Sequence, residues 1–277
     1  MKRISAVFDG LKFSASTLGY AIALAKRSGA LLSGVFLESF LYHSYELQDA
    51  IGRHGLSAVK MKHQLEKDQM ARLNSIRDFE QACLAAQIQF NVHRDKGLSI
   101  LEVLKESIYS DLLLVSAEET FSHGPDKMPG QFLRELLEET QCPVLVVPKE
   151  QRTIEQVILL FDGKPASVQA IKLFNYVMPW LHGKAVEVVT VSATSDAVPT
   201  DYRLIKEFIS CHYPAASYTL LTGDPEKELS DYLNSLNKNC LVVLGAYQRG
   251  KVSRWFHPSL ADNLLQRTDL PLFIAHL

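Results

Sequence analysis

The sequence predicts an α/β protein of two tandem doubly wound domains, each a five-stranded parallel sheet with helices on both faces. Short apolar runs rich in β-branched residues alternate with segments of helical period along the chain, which is typical of βαβ units. The order of these segments occurs twice, in residues 1–150 and 151–277. A length of 277 residues with 47% hydrophobic content is enough for two cores.

The first half begins with an apolar strand at Ile4–Phe8. A helix follows from Ala15 to Ser28, because small and apolar residues recur at spacings of three and four until Gly29 ends the pattern. Residues 38–58 show no sustained period and are expected to be irregular or a short helix, within a longer second-helix region that covers 38–86. The other predicted elements are strands at 31–37, 87–93, 112–115 and 143–147 and helices at 58–86, 100–109 and 131–140.

The second half repeats this order after a linker at 148–153. Phe161-Asp162-Gly163 matches Phe8-Asp9-Gly10 residue for residue, at the end of the first strand of each half. The further predicted elements are strands at 157–161, 185–191, 218–221, 240–244 and 270–275 and helices at 167–181, 202–211, 223–236 and after Ser259. A strand–helix–strand unit with a right-handed crossover makes these strands parallel.

Charge and cysteine usage exclude several classes of function. The 29 basic residues nearly balance the 31 acidic ones, so no global field attracts nucleic acid or an anionic membrane. The four cysteines form no CxxC pair, which argues against a zinc site and for reduced thiols. No signal peptide and no uncharged run of membrane-spanning length is found, so a cytoplasmic protein is expected.

The candidate site lies where the first and fourth strands of each half end. Asp9 and Asp162 follow the first strands, and Ser116 and Gly245 end the fourth. In a doubly wound sheet these ends are neighbours at the switch point, where ligands bind. After Gly245 comes a basic loop, and Ser259 then opens a helix whose free N–H groups favour an anion. An ordinary turn capped by each aspartate is the competing interpretation.

These repeated landmarks resemble the universal stress protein family, here as two domains fused in tandem. The resemblance covers essentially the whole chain and also includes Gly97, Gly223-Asp224-Pro225, Cys142-Pro143 and Leu270-Pro271. It implies a Rossmann-like fold of the adenine nucleotide α-hydrolase type. In ATP-binding members, the loop after the fourth strand reads Gly, two residues, Gly, nine residues, Gly, then Ser or Thr, and its glycines let backbone amides approach phosphates.

The second half keeps part of this ATP loop. Gly245 and Ser259 match, whereas Gln248 and Pro258 stand where two glycines belong; Pro258 lacks a backbone donor. The residues that the resemblance assigns to an adenine nucleotide such as ATP in this half are Asp162, Gly163, Val191, Gly245, Arg249, Gly250 and Ser259, with Lys251 and Arg254 adding positive charge.

The first half departs further from the ATP-binding pattern. The four loop positions are Ser116, Glu119, Pro129 and Gly130, so the hydroxyl is lost and a carboxylate lies beside the expected phosphates. Asp9 matches the family's adenosine-contacting aspartate, and Val35 approximates its neighbouring valine position. Asp9, Val35, Ser116 and Gly130 are therefore the weaker candidates.

These observations predict a cytoplasmic stress-response regulatory or interaction protein with degenerate nucleotide sites, lost in the first domain and weak or altered in the second. The alternative is an ATP-binding switch that uses the second domain, with slow hydrolysis. An unrelated enzyme is disfavoured, because neither G-x-S-x-G nor a P-loop is found. No catalytic residue or metal ligand is assigned. The expected partners are an unidentified protein and, within the chain, the two halves paired as a pseudo-dimer through their last strands; a homodimer is left open.

Overall fold

The structure is a computed structural model that describes residues 1–37, 51–52, 55–56, 58–95, 99–119, 128–192, 202–236, 239–246 and 260–275. In the first half the strands are β1 (Arg3–Asp9), β2 (Leu31–Leu37), β3 (Ile51–Gly52), β4 (Gly55–Leu56), β5 (Phe90–Asp95), β6 (Leu112–Ser116) and β7 (Val144–Val147). The helices are α1 (Ala15–Ser28), α2 (Ala58–Ala86), α3 (Ser99–Ile108) and α4 (Gln131–Glu139).

The described residues of the second half repeat the order of the first, with no counterpart of β3 and β4 among them. Its strands are β8 (Gln156–Leu160), β9 (Ala185–Ser192), β10 (Ser217–Thr222), β11 (Cys240–Gly245) and β12 (Leu272–Ala275). Its helices are α5 (Pro165–Val177), α6 (Tyr202–His212), α7 (Pro225–Ser235) and α8 (Leu260–Arg267), and a 3₁₀ helix spans Pro179–Gly183. No helix in these described ranges is long and apolar enough to cross a membrane.

All strands except β3 and β4 form one ten-stranded sheet in the order β10-β9-β8-β11-β12-β7-β6-β1-β2-β5. Within this sheet every pairing inside a half is parallel, and the first strand of each half lies between the second and the fourth. The predicted fold class, two doubly wound five-stranded parallel sheets in tandem, is therefore confirmed. The two last strands pair antiparallel, with Phe273 opposite Leu145, so each covers the edge of the other.

The core has two layers, one on each face of the sheet. One layer contains the aromatic rings Phe8, Phe36, Phe79, Phe174 and Phe273, and the other contains aliphatic side chains such as Val7, Leu113, Leu133, Val242 and Leu264. A residue on a strand points to the opposite face from its neighbour, which is why Val7 and Phe8 belong to different layers. Helices cover both layers, as the sequence predicts.

Each half has a glutamate that binds several polar side chains beside its first strand, and this glutamate comes from a different element in each half. In the first half Glu106 of α3 accepts from Arg3 Nη2 at 2.7 Å and lies 2.6 Å from His93 Nδ1. In the second half Glu187 of β9 accepts from Gln156 at 3.1 Å, from Tyr232 of α7 at 2.6 Å and from Thr219. The equivalent strand position in the first half is Ser33, which follows from the registers of Arg3 with Leu31 and Gln156 with Ala185.

Three predicted segments differ most from the structure. Residues 51–52 and 55–56 form a short antiparallel pair, β3 with β4, rather than irregular chain or helix, and the rest of the predicted segment up to residue 57 lies outside the described residues. The strand predicted at 87–93 begins only at Phe90, because Gln87 has a left-handed φ of 56° that ends α2. The helix predicted at 167–181 begins at Pro165, since proline fits the first helical turn, and ends at Val177 before the 3₁₀ helix.

Candidate functional site

The second-half cleft lies at the carboxyl ends of β8 and β11, where the strand order reverses. A cavity of about 90 Å³ is found there. Asp162, Val191 and Gly245 all line it, so the structure brings these three predicted residues together. Its other walls come from the first turns of α5, α7 and α8, through Ser167, Pro225 and Leu260. The N-termini of three helices thus lie at the carboxyl-terminal edge of the sheet. Helix N-termini favour anions, because their backbone N–H groups are free and their dipole is positive there.

Asp162 caps the turn after β8 and remains accessible. Its Oδ1 accepts from the backbone N–H of Lys164 at 3.0 Å, and its Oδ2 lies 3.5 Å from Lys164 Nζ. The side chain is 55% exposed, so the carboxylate keeps acceptor capacity for a ligand while it serves the turn. Gly163 follows with a φ of 80°, a left-handed conformation that favours glycine there.

Gly245 is a glycine because of its contact with α5. A Cβ at this position would lie 2.4 Å from the carbonyl oxygen of Ala166 and 2.8 Å from the backbone nitrogen of Ser167. The end of β11 therefore packs directly on the backbone of the first turn of α5. This packing requires a glycine whether or not a ligand binds.

Several predicted residues of the second site lie outside the described residues. These are Arg249, Gly250 and Ser259, together with Gln248, Lys251, Arg254 and Pro258 of the same loop. Gly97 of the first half also lies outside the described residues. The helix predicted after Ser259 is α8, which begins at Leu260 on the wall of the cavity.

The first-half cleft holds the equivalent residues in a more buried setting. Asp9 is 1% exposed and its Oδ1 accepts from the Leu11 N–H at 2.8 Å. Val35 is fully buried, and the Ser116 hydroxyl accepts from the Glu118 N–H at 3.2 Å. Gly130 is the N-terminal cap residue of α4 and provides no side-chain cap.

Glu119 places a buried carboxyl group close to Asp9 in the first half. The side chain is only 4% exposed. Burial raises the pKa of Glu119 well above its usual value, the nearby Asp9 carboxylate raises it further, and a hydrogen bond from the Asp9 backbone and the charge of Lys12 oppose the shift. The sequence predicts a carboxylate here, but the depth of its burial depends on tertiary packing.

Thiol and metal chemistry have little support in the described ranges. They contain no group of three or more His, Cys, Asp or Glu side chains that could hold a metal ion. All four cysteines are free, and only Cys211 is exposed. Burial raises the pKa of Cys83 and Cys240 to about 11 and that of Cys142 to about 12, so these three thiols are protonated at neutral pH.

Comparisons with known proteins agree with this fold. No family model matches the chain. A universal stress protein of Synechocystis is 23% identical over 291 residues, which cover 98% of this chain and 99% of that protein. A universal stress protein of Archaeoglobus fulgidus has a solved structure that superposes with a TM-score of 0.72 at 16% identity, covering 99% of this chain and 98% of the other.

A second solved structure leads to the same result. It belongs to a Pseudomonas aeruginosa protein that is described as a universal stress protein, with a TM-score of 0.66 at 12% identity, and it covers 100% of this chain and 93% of the other. The resemblance seen in the sequence is therefore confirmed: the chain has the tandem fold of the universal stress proteins and is similar to that family along nearly its whole length.

Proposed function

We propose that this chain is a cytoplasmic regulatory or interaction protein of the universal stress type that binds an adenine nucleotide weakly, in its second half only, and does not act as an enzyme. Residues 1–150 and 151–277 are its two domains, joined as an internal pseudo-dimer. The observation that carries the proposal is the contrast between the two clefts. Glu119 is buried in the first, whereas Asp162, Val191 and Gly245 line a small cavity in the second.

The chemistry of the second cleft suits the nucleoside part of such a ligand. Val191, Leu160 and Leu229 give it apolar walls for a base, and the accessible Asp162 carboxylate can accept hydrogen bonds from ribose hydroxyls. The cavity of about 90 Å³ is smaller than ordinary ligand sites, which enclose about 300–1,000 Å³. Binding therefore requires the cleft to open, and that requirement lowers affinity.

The phosphate part is expected to be held poorly. Pro258 removes one backbone donor and Gln248 adds a side chain where close approach is needed. A lost hydrogen bond to a charged group costs about 1.5–3 kcal/mol, which is about one to two decades in affinity. Arg249, Lys251 and Arg254 offset part of this, since exposed ion pairs contribute about 0–1 kcal/mol each.

In the first half the buried carboxyl group of Glu119 disfavours a nucleotide, because in its ionised form it repels phosphates at close range. Asp9, the equivalent of Asp162, is itself 1% exposed and so presents little surface to a ligand.

Calorimetric titration with ATP, ADP and AMP tests this proposal. Asp162→Ala should abolish the weak binding of the wild type, and the matched variant Asp9→Ala should leave it unchanged, with circular dichroism confirming that both variants are folded. Loss of binding in Asp9→Ala alone would assign the nucleotide to the first half instead.

A second experiment addresses the strength of binding. The double variant Gln248→Gly and Pro258→Gly should bind ATP about tenfold more tightly or better, because it restores the missing donor. Wild-type protein that already purifies with ATP would favour the ATP-binding switch over the weak site proposed here.

A further inference from the structure

The two halves meet where β7 pairs with β12, a junction called the seam below. It has two equivalent ends, because β7 and β12 are equivalent strands that run antiparallel. At each end, the last strand of one half finishes beside the start of the last strand of the other half. The linker at 148–155 passes one of these ends on its way to β8. The other end contains a cavity of about 430 Å³, which lies within the range of ordinary ligand sites.

The linker is bound tightly at its own end of the seam. The Pro148 carbonyl accepts from Ser16 Oγ at 2.7 Å, and the Arg152 N–H donates to the Tyr20 hydroxyl at 3.1 Å. The Arg152 guanidinium contacts Asp269 Oδ2 at 2.5 Å, and its side chain is 15% exposed. The linker is thus held along α1, and Arg152 anchors it; the surface formed by Ser16, Tyr20 and Asp269 is called the linker groove below.

The cavity is the counterpart of this linker groove in the repeat. Pro143 and Pro271 directly precede the last strands and make the same contact. Their carbonyl oxygens accept from the backbone N–H groups of Leu113 and Val242 respectively, each at 3.0 Å. Gln141 therefore corresponds to Asp269, and both stand two residues before that proline. Gln141 and Pro143 both line the cavity, together with Met1, Cys142, Tyr176 and Val177.

The lining shows which chemistry the cavity accepts. Leu173, Val177, Pro143 and Ala275 make it mainly apolar. Gln141 is neutral where Asp269 is charged. The carboxylate of Asp111 also lines the cavity, but it already accepts from the backbone N–H groups of Lys2 at 2.5 Å and Arg3 at 3.0 Å, so a cationic anchor such as Arg152 would lose the partner that it has in the linker. Tyr176 is 70% exposed beside the cavity, and exposed tyrosines next to an apolar groove are typical of binding surfaces.

We propose that this cavity binds an extended peptide segment of a partner protein, which lies along α5 as the linker lies along α1 and inserts a neutral apolar side chain where the linker has Arg152. The internal linker is the template for this mode of binding. Within the described residues no segment of the chain crosses the cavity.

Fluorescence anisotropy with two labelled peptides tests the proposal on the full-length protein. The first peptide is the linker sequence Val-Pro-Lys-Glu-Gln-Arg-Thr-Ile-Glu, and the second carries leucine in place of its arginine. The leucine peptide should bind the wild type more tightly than the arginine peptide does. Tyr176→Ala should weaken the leucine peptide about tenfold, which is the usual effect of an aromatic anchor, whereas Tyr109→Ala, at an equally exposed tyrosine that does not line the cavity, should not.

A gain-of-function variant separates the proposed site from loss of structure. Gln141→Asp recreates the counterpart of Asp269, so it should tighten the arginine peptide about tenfold and leave the leucine peptide unimproved. Failure of both peptides to bind would overturn the proposal, as would binding that ignores both Tyr176→Ala and Gln141→Asp. Peptide binding that appears only after residues 276–277 are removed would also overturn it, because the chain would then fill its own cavity.

Discussion

The backbone of Ala166 lies directly against the α-carbon of Gly245. A methyl group there would sit 2.4 Å from the Ala166 carbonyl oxygen, and the clash is with backbone that cannot rotate away. One glycine of the family's ATP loop therefore has a structural role in this chain, and its presence alone is not evidence that phosphates bind.

Gly245→Ala should lower the free energy of unfolding by about 1–3 kcal/mol, because overpacking forces β11 and α5 apart. Gly183→Ala is the control, since a Cβ at Gly183 meets nothing within 4 Å. Urea denaturation of both variants measures the difference. Equal midpoints for Gly245→Ala and wild type would show that the junction adapts freely.

Buried Glu119 should make stability depend on pH. Its pKa is raised in the folded protein, so the folded state holds a proton that the unfolded state has already released. Stability is then highest below the usual glutamate pKa and falls as pH rises through the raised value. Glu119→Gln removes this titration, and its stability should exceed that of the wild type increasingly from pH 5 to pH 8. A difference in the free energy of unfolding that stays constant across that range would contradict a raised pKa at Glu119.

The hydrogen bond from Tyr232 to Glu187 should stabilise the second half measurably. The hydroxyl lies 2.6 Å from a carboxylate that is 7% exposed. Tyr232→Phe should cost about 1.5–3 kcal/mol, the usual range for a hydrogen bond to a charged group. Tyr109→Phe, at a tyrosine that is 70% exposed, should cost almost nothing. Chemical denaturation followed by circular dichroism compares the two.

One of the four cysteines should react quickly with a thiol reagent and the other three slowly. Cys211 is exposed, whereas Cys83, Cys142 and Cys240 are buried with raised pKa values. A thiol reagent at neutral pH should modify Cys211 at once and the other three only as the protein opens. A Cys211→Ser variant should lose the fast phase alone; a fast phase that remains would mean that a buried thiol is accessible.

Local sequence patterns predict most elements here, because caps and periodicity act over short distances. The helix Ala15–Ser28 is predicted to the residue, since Gly29 adopts the left-handed conformation that ends it. Asp162 and Gly245 are also predicted to meet, because the carboxyl ends of neighbouring parallel strands share one edge, whereas Val191 is assigned to the site by the family resemblance. The burial of Glu119 and the contact of Gly245 with α5 are not predictable in this way, since both depend on how distant elements pack.

The pairing of β7 with β12 also affects how the two clefts can evolve. In a symmetric homodimer every substitution appears in both copies, so a change that closes one pocket closes the other. A fused chain encodes its two pockets separately. A glutamate can therefore fill one while the other stays open, and one sheet can carry two sites that select different ligands.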